Sequence, residues 1–424
     1  MPAGIRLRQL NTTVSRSSSS AMTLLFLLFI VLSLMKFRLV GIPLADCLVL
    51  MLAGVAFVKT GELRVPMYAL LMLFFFTVCL ALSIMQRSLD GMMSSVKLFV
   101  PFFAILAFSK LASRLSVNDI RLLARRILFF GVWSQLIVVV IFYSGIADTL
   151  FNVVLPGNEG REDAGFKINV FTVPFAGIYR FGGLFIEPSW YSMFFGFFML
   201  MYFYLMKQSD DRFSVKRDIL IISAFVTTLS FTAAALLVMA YCYRFFDVKK
   251  PIRLVIVIPA IIALLVWVML TNDYLAHRIY LIASGNDSSV NARVFASADK
   301  AWFILHYTSF LGAGPAETLK LINRFFSENL SIQNAYLEAF ASAGLIGGGA
   351  FVFAMHISLF KARYMMAQLP LALALLVSSI VFTPILWLLA FFTHTVVSAL
   401  CNERTRLAVA GKAEFDVNQE HVVR

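Results

Sequence analysis

Arg180 is followed by Phe181-Gly182-Gly183-Leu184-Phe185-Ile186-Glu187-Pro188-Ser189-Trp190-Tyr191-Ser192, an apolar run with one guanidinium, one carboxylate and one proline near its start. An ionised carboxylate some two turns into an apolar helix costs a few kcal/mol in lipid, so Glu187 needs a cationic partner or a wet cavity. Arg180, seven residues earlier, falls close to the same helical face if the helix begins before it. Pro188 removes a backbone hydrogen bond and the glycine pair loosens the start, a break tolerated in lipid only where backbone is buried in protein or lines a cavity. Two readings stand: a structural ion pair in a kinked helix, and a polar floor under an outside-facing cavity.

Arg278, Arg293, Lys300 and Arg324 form a second group of cations, on a side where positive charge is otherwise scarce. Arginine suits a phosphate at a membrane surface because its guanidinium forks onto two oxygens and stays protonated. Lys300 and Arg324 also read as stems that snorkel or meet lipid headgroups, and removing Lys300 is expected to do little. Leu311-Gly312-Ala313-Gly314-Pro315 is a turn for close backbone approach, with Pro315 suited to open a helix. Downstream, Gln333-Asn334-Ala335-Tyr336-Leu337-Glu338 has the spacing that puts Gln333 or Asn334 near Glu338 on one helical face. The glycines of Ala343-Gly344-Leu345-Ile346-Gly347-Gly348-Gly349 would let a neighbouring helix pack closely. His277, His306, His356, His394 and His421 lack metal-ligand spacing, and no phosphate-binding glycine loop with lysine occurs, so neither a metal nor ATP is implied.

The elements that must position these groups are membrane helices. Hydrophobic residues make up 60% of the 424 positions and charged residues 14%, far below the roughly 25% of soluble domains. Apolar runs long enough for about 30 Å of hydrocarbon recur throughout. They predict an all-α, polytopic integral membrane protein of about 12 transmembrane helices, near 21–40, 42–58, 66–85, 96–112, 125–146, 181–206, 218–230, 232–246, 253–271, 334–360, 367–382 and 384–400. Residues 1–20 and 401–424 are read as cytoplasmic ends of a single membrane domain over 21–400. The net charge of +13 does not call for nucleic acid, because the cations cluster in short segments that the positive-inside rule places in the cytoplasm. Cys47, Cys79, Cys242 and Cys401 lie in or beside apolar runs and read as small core residues. Large outside loops are expected near 147–180 and 272–333. In the second, Ala292–Tyr307 and Pro315–Phe326 have the spacing of amphipathic helices on the membrane face.

Taken in order, these motifs resemble the O-antigen polymerase and O-antigen ligase superfamily of the bacterial envelope. The match runs over roughly residues 180 to 350: an Arg, Gly-Leu-Phe-x-Glu-Pro-Ser at a helix start, an Arg in a large loop, Gly-x-Gly-Pro, Asn-x-Tyr-Leu-Glu, and Gly-Leu-x-Gly. Thr227-Thr228-Leu229-Ser230-Phe231-Thr232 is similar to that family's polar joint between two short helices. The resemblance implies a GT-C-like, membrane-embedded, metal-independent inverting glycosyltransferase of the inner membrane, needing no cofactor. Its active site would face the periplasm and its donor and acceptor would be undecaprenyl-diphosphate-linked glycans, with membrane lipids and a chain-length regulator as further partners. Arg180 and Arg293, with Arg278 in reserve, would neutralise the diphosphate leaving group; Glu187 or Glu338 would orient or deprotonate the acceptor hydroxyl. Gln333, Asn334, Tyr336 and His306 would contact substrate. Gln333 stands where ligases of the superfamily carry His, which favours a Wzy-type polymerase over a ligase and leaves the base open unless His306 moves in. A transporter of lipid-linked sugar is the rival from another class.

Overall fold

The computed structural model describes residues 38–39, 42–61, 65–145, 170–172, 179–183, 188–208, 214–245, 295–326, 332–357, 364–376 and 384–422, with isolated positions such as Phe185 and Val381 between them. The expected spans at 21–40 and 253–271 lie almost wholly outside these residues. The first described helices are α1 Leu44–Thr60, α2 Met67–Met85, α3 Leu89–Lys97, α4 Phe99–Ala112 and α5 Val117–Tyr143. A two-stranded antiparallel ribbon follows, β1 Val170–Thr172 with β2 Tyr179–Phe181, where only a loop was expected. Then come α6 Pro188–Lys207, α7 Val215–Val226, α8 Phe231–Phe245, α9 Phe295–Tyr307, α10 Pro315–Phe326, α11 Ala335–His356, α12 Met365–Leu376 and α13 Pro384–Val422.

Among the described residues, six helical segments have the length and apolar composition to cross a membrane, one of them, Ala335–His356, being interrupted at Gly344, and they make the chain an all-α membrane protein. Starts are marked by local chemistry. Ser116 and Asp119 form a reciprocal capping box at α5, and Ser88 accepts from Gly91 N–H at α3, caps worth about 1 kcal/mol each. The two short pairs expected at 218–246 and 367–400 are separate helices, α7 with α8 and α12 with α13. At the open end of the first pair, Arg244 forms an ion pair with Asp218 and lies over the rings of Phe203, Tyr241 and Phe245.

The expected single rod at 334–360 is corrected: α11 is a helical hairpin. Gly344 has φ +69° and ψ −171°, so the chain reverses there. Tyr336 Oη lies 2.6 Å from His356 Nε2 although twenty residues separate them, about 30 Å along a straight helix. Phe340 likewise lies against Gly348, where a Cβ would come within 2.3 Å of its ring. A reversal strands backbone groups that lipid cannot satisfy, each costing several kcal/mol. The turn after α9 satisfies them. Ala313 N–H donates to Ala341 O at 2.9 Å, Gly314 N–H to Ser342 O at 2.8 Å, and Leu345 N–H to Phe310 O at 3.1 Å.

This contact is backbone against backbone. A Cβ on Gly312 would lie 2.3 Å from Gly344 N, and one on Gly344 would lie 2.4 Å from Leu311 O; both residues also have positive φ. The two helices of the second loop, α9 and α10, accordingly pack on α11 and α3 as well as on each other. The second leg of α11 runs along α2, with Phe351 against Phe75 at 5.3 Å between ring centroids, and Trp387 of α13 closes the cluster at 5.5 Å from Phe351. α6 is the central post, buried along almost its whole length.

Gly312→Ala and Gly344→Ala are expected to abolish monodisperse folded protein on gel filtration in detergent. Gly349→Ala, with nothing within 4 Å of its new methyl, should leave the unfolding temperature unchanged or raise it, since alanine is favoured over glycine in a helix by about 1 kcal/mol.

Candidate functional site: a polar seam between membrane helices

Arg180 sits on β2, not on the helix that follows, because α6 begins at Pro188. The shared helical face expected for Arg180 and Glu187 therefore does not exist; Glu187 itself lies outside the described residues. The strand is held against the end of α5 by rings, with Tyr179 and Phe181 at 4.8 and 5.3 Å from Phe142. Its main chain then joins the non-helical link between α7 and α8, where Phe181 N–H donates to Thr227 O at 3.2 Å. The Arg180 guanidinium is half-buried, with Nε 3.4 Å from Thr228 O.

Around it the link is lined with hydroxyls. Thr228 Oγ1 is 3.4 Å from Ser192 Oγ and accepts from Ser230 N–H at 3.3 Å, and Thr228, Ser192 and Ser230 are all buried. The polar joint at 227–232 and the Arg180 motif, noted separately in the sequence, thus form one seam. Gln135 of α5 completes it, donating from Nε2 to Phe181 O at 3.0 Å and to Thr227 Oγ1 at 2.9 Å. Sequence reasoning passed over Gln135. The signal was there: a lone amide inside the apolar run Val132–Val140, which lipid admits only with partners.

A second group gathers on the first leg of α11. Asn334 is the N-cap, its Oδ1 accepting from Tyr336 and Leu337 N–H, and its own carbonyl accepts from Glu338 N–H at 2.9 Å, one turn on, while Gln333 precedes the helix. Gln333 N–H bonds Ser297 Oγ at 2.9 Å on α9. Tyr336 closes a chain through His356 to Gln368, whose Oε1 is 3.3 Å from His356 Nδ1. Glu338 meets the backbone N–H of Val381, and its Oε2 is shielded from solvent with no hydrogen-bond partner among the described residues. A carboxylate oxygen left so is costly.

Between α9 and α11 lies a mostly apolar cavity of about 480 Å³, lined among others by Asp299, Trp302, Leu305, Leu337, Phe340 and Leu345. Neither Arg180 nor Glu338 lines it. His306 lies beyond Trp302, its Nδ1 3.2 Å from Trp302 O. It stands nine residues along α9 from Ser297, about 13 Å, so the structure does not bring it to Gln333. Lys300 does not snorkel: it is 3% exposed and has a polar contact of its own. Arg324 is exposed, over the Phe325 ring. Arg278 and Arg293 lie outside the described residues. No group of three His, Cys, Asp or Glu suited to a metal occurs among the described residues, and the described cysteines are unpaired. No protein-family model matches the chain, and neither the curated proteins nor the solved structures contain a match to it.

Asn334→Ala should lower the thermal stability of detergent-solubilised protein by about 1 kcal/mol, and Asn334→Asp, which keeps the cap acceptor but loses the Nδ2 donation to Leu376 O, should restore part of it. Lys300→Ala, contrary to the expectation for a snorkelling side chain, should reduce the yield of folded protein in the membrane fraction.

Proposed function

We propose that the protein is a polysaccharide polymerase of the inner membrane, joining oligosaccharide repeat units carried on polyprenyl diphosphate at the periplasmic face. The observation that carries this reading is the Arg180 seam: a guanidinium set among buried hydroxyls and a backbone carbonyl between membrane helices. A guanidinium at that place can fork onto two oxygens of a diphosphate at the membrane surface and stays protonated while it does so.

The acceptor hydroxyl attacks the anomeric carbon of the donor sugar, the bond to diphosphate oxygen breaks, and polyprenyl diphosphate leaves with inversion. Arg180 and Arg293, with Arg278 in reserve, balance the charge that builds on the departing diphosphate, worth a few kcal/mol for each well-placed donor. Glu338 or Glu187 receives the hydroxyl proton. Glu338 gains support from an Oε2 that has no hydrogen-bond partner among the described residues, whereas Asn334 and Tyr336 are engaged in capping and in the His356 chain, which favours a framework role for both. A ligase that moves finished glycan to lipid A core or protein is the nearest alternative, disfavoured by Gln333 in place of a histidine. Transport of a lipid-linked sugar is a second reading, favoured by one observation, the helix broken at Gly344.

Arg180→Ala and Arg293→Ala should abolish polymer in cells while the protein stays in the membrane; normal polymer from both removes these residues from the mechanism. Purified protein in liposomes with a lipid-linked oligosaccharide separates the classes: growth of the glycan without nucleotide supports the polymerase, and movement of the lipid without growth rejects it.

A further inference from the structure

Gln135 belongs to α5, is fully buried, and spends both hydrogens of one nitrogen on two different elements. Both acceptors demand a donor. Phe181 O is a carbonyl, and the hydroxyl hydrogen of Thr227 is already given to Ala224 O at 2.8 Å, leaving lone pairs alone for Gln135. Only a group with two hydrogens on one atom at that reach meets both, and this bonding assigns which end of the amide is nitrogen. The other end confirms the demand from the opposite side. Oε1 has no hydrogen-bond partner among the described residues and lies against Gly183, where a Cβ would come within 2.4 Å. A buried acceptor left bare is unfavourable, so a side chain needed only to fill space here would be leucine or methionine.

The two acceptors flank the guanidinium's own contact. Phe181 adjoins Arg180, and Thr227 adjoins Thr228, on whose carbonyl Arg180 Nε rests. One nitrogen thereby sets the spacing between strand and helix link, one residue away on each side. The backbone bond from Phe181 to Thr227 is the second rung of the same ladder. We propose that Gln135 is a positioning residue for Arg180, fixing the guanidinium by clamping β2 to the α7–α8 link. The assignment rests on Arg180 as the diphosphate-facing cation only for its catalytic consequence; the clamp itself is geometric.

Two measurements on full-length protein in liposomes separate clamp from catalysis. In the first, Arg180→Cys is made in a background with Cys47, Cys79, Cys242 and Cys401 replaced by Ala, and its thiol is timed against a methanethiosulfonate reagent. Adding Gln135→Met, which keeps volume and loses both donors, should change that rate severalfold, and Gln135→Glu should do the same because a carboxylate cannot donate. In the second, kcat and KM are taken for extension of a lipid-linked oligosaccharide. Gln135→Met should lower kcat tenfold or more with KM within twofold, and should add nothing to the partial loss in Arg180→Lys, which keeps the charge and loses the fork. An unchanged labelling rate overturns the inference, as does a kcat loss that multiplies with that of Arg180→Lys. A changed labelling rate in a protein that extends no glycan keeps the clamp and sinks the polymerase reading. Should Gln135→Met leave no folded protein, Thr227→Val removes one acceptor and is read by the same labelling, with a smaller change in the same direction expected.

Discussion

Inside a bilayer a backbone N–H or C=O has no water to turn to, so wherever a membrane helix stops, something else in the protein must meet the groups it leaves. This chain breaks off helices among its apolar segments more than once, and each stop is met by a different device. At Gly344 the turn from Phe310 to Gly314 supplies two donors and one acceptor to the open ends of the hairpin. At Thr227–Ser230 the edge of a short strand does the same for Thr227 O, and the Gln135 amide ties that strand to the Thr227 hydroxyl. Both devices bring residues distant in sequence into contact with helical backbone, and both leave polar side chains in a setting that is otherwise apolar.

Polar groups at such stops come at a cost in lipid, and that cost links structure to chemistry. Lipid would carry an uninterrupted apolar helix more cheaply than a link lined with Thr227, Thr228 and Ser230 beside a half-buried arginine. The hydroxyls answer one another and the main chain, and the guanidinium rests at their edge on Thr228 O. Glu338 follows the same logic on the hairpin's first leg. Its neighbours are consumed by capping and by the Tyr336–His356–Gln368 chain, and the carboxylate keeps one oxygen uncommitted. Under the glycosyl transfer proposed above, the guanidinium in one helix stop would serve the leaving group and the carboxylate beside another would take the proton.

The cavity between α9 and α11 has another character. Its walls are mostly aliphatic and aromatic, and the nearest titratable side chain in its lining is Asp299. Trp302 and Tyr307 on its flank are exposed, as amphipathic side chains at a membrane boundary are. It owes its shape to the hairpin: a straight α11 would carry Leu345 away from Leu337 and Phe340, which line the same wall.

The sequence by itself determined the membrane class, most helix positions, the turn at Gly312–Pro315 and the joint at Thr227–Ser230, because apolar run length and glycine or hydroxyl punctuation act locally. It also flagged Arg180, Asn334 and Glu338 as polar groups in places where polarity needs a reason. It did not determine what each of them does. Asn334 became a cap, Lys300 went inside, His306 and Gln333 parted, and α11 folded back, since these outcomes turn on which segment satisfies which backbone group. Such pairings span from about thirty to about ninety residues of chain, as between Phe310 and Leu345 or Gln135 and Thr227, and no periodicity within a segment encodes a partner so far away. Only the tertiary structure closes those bonds.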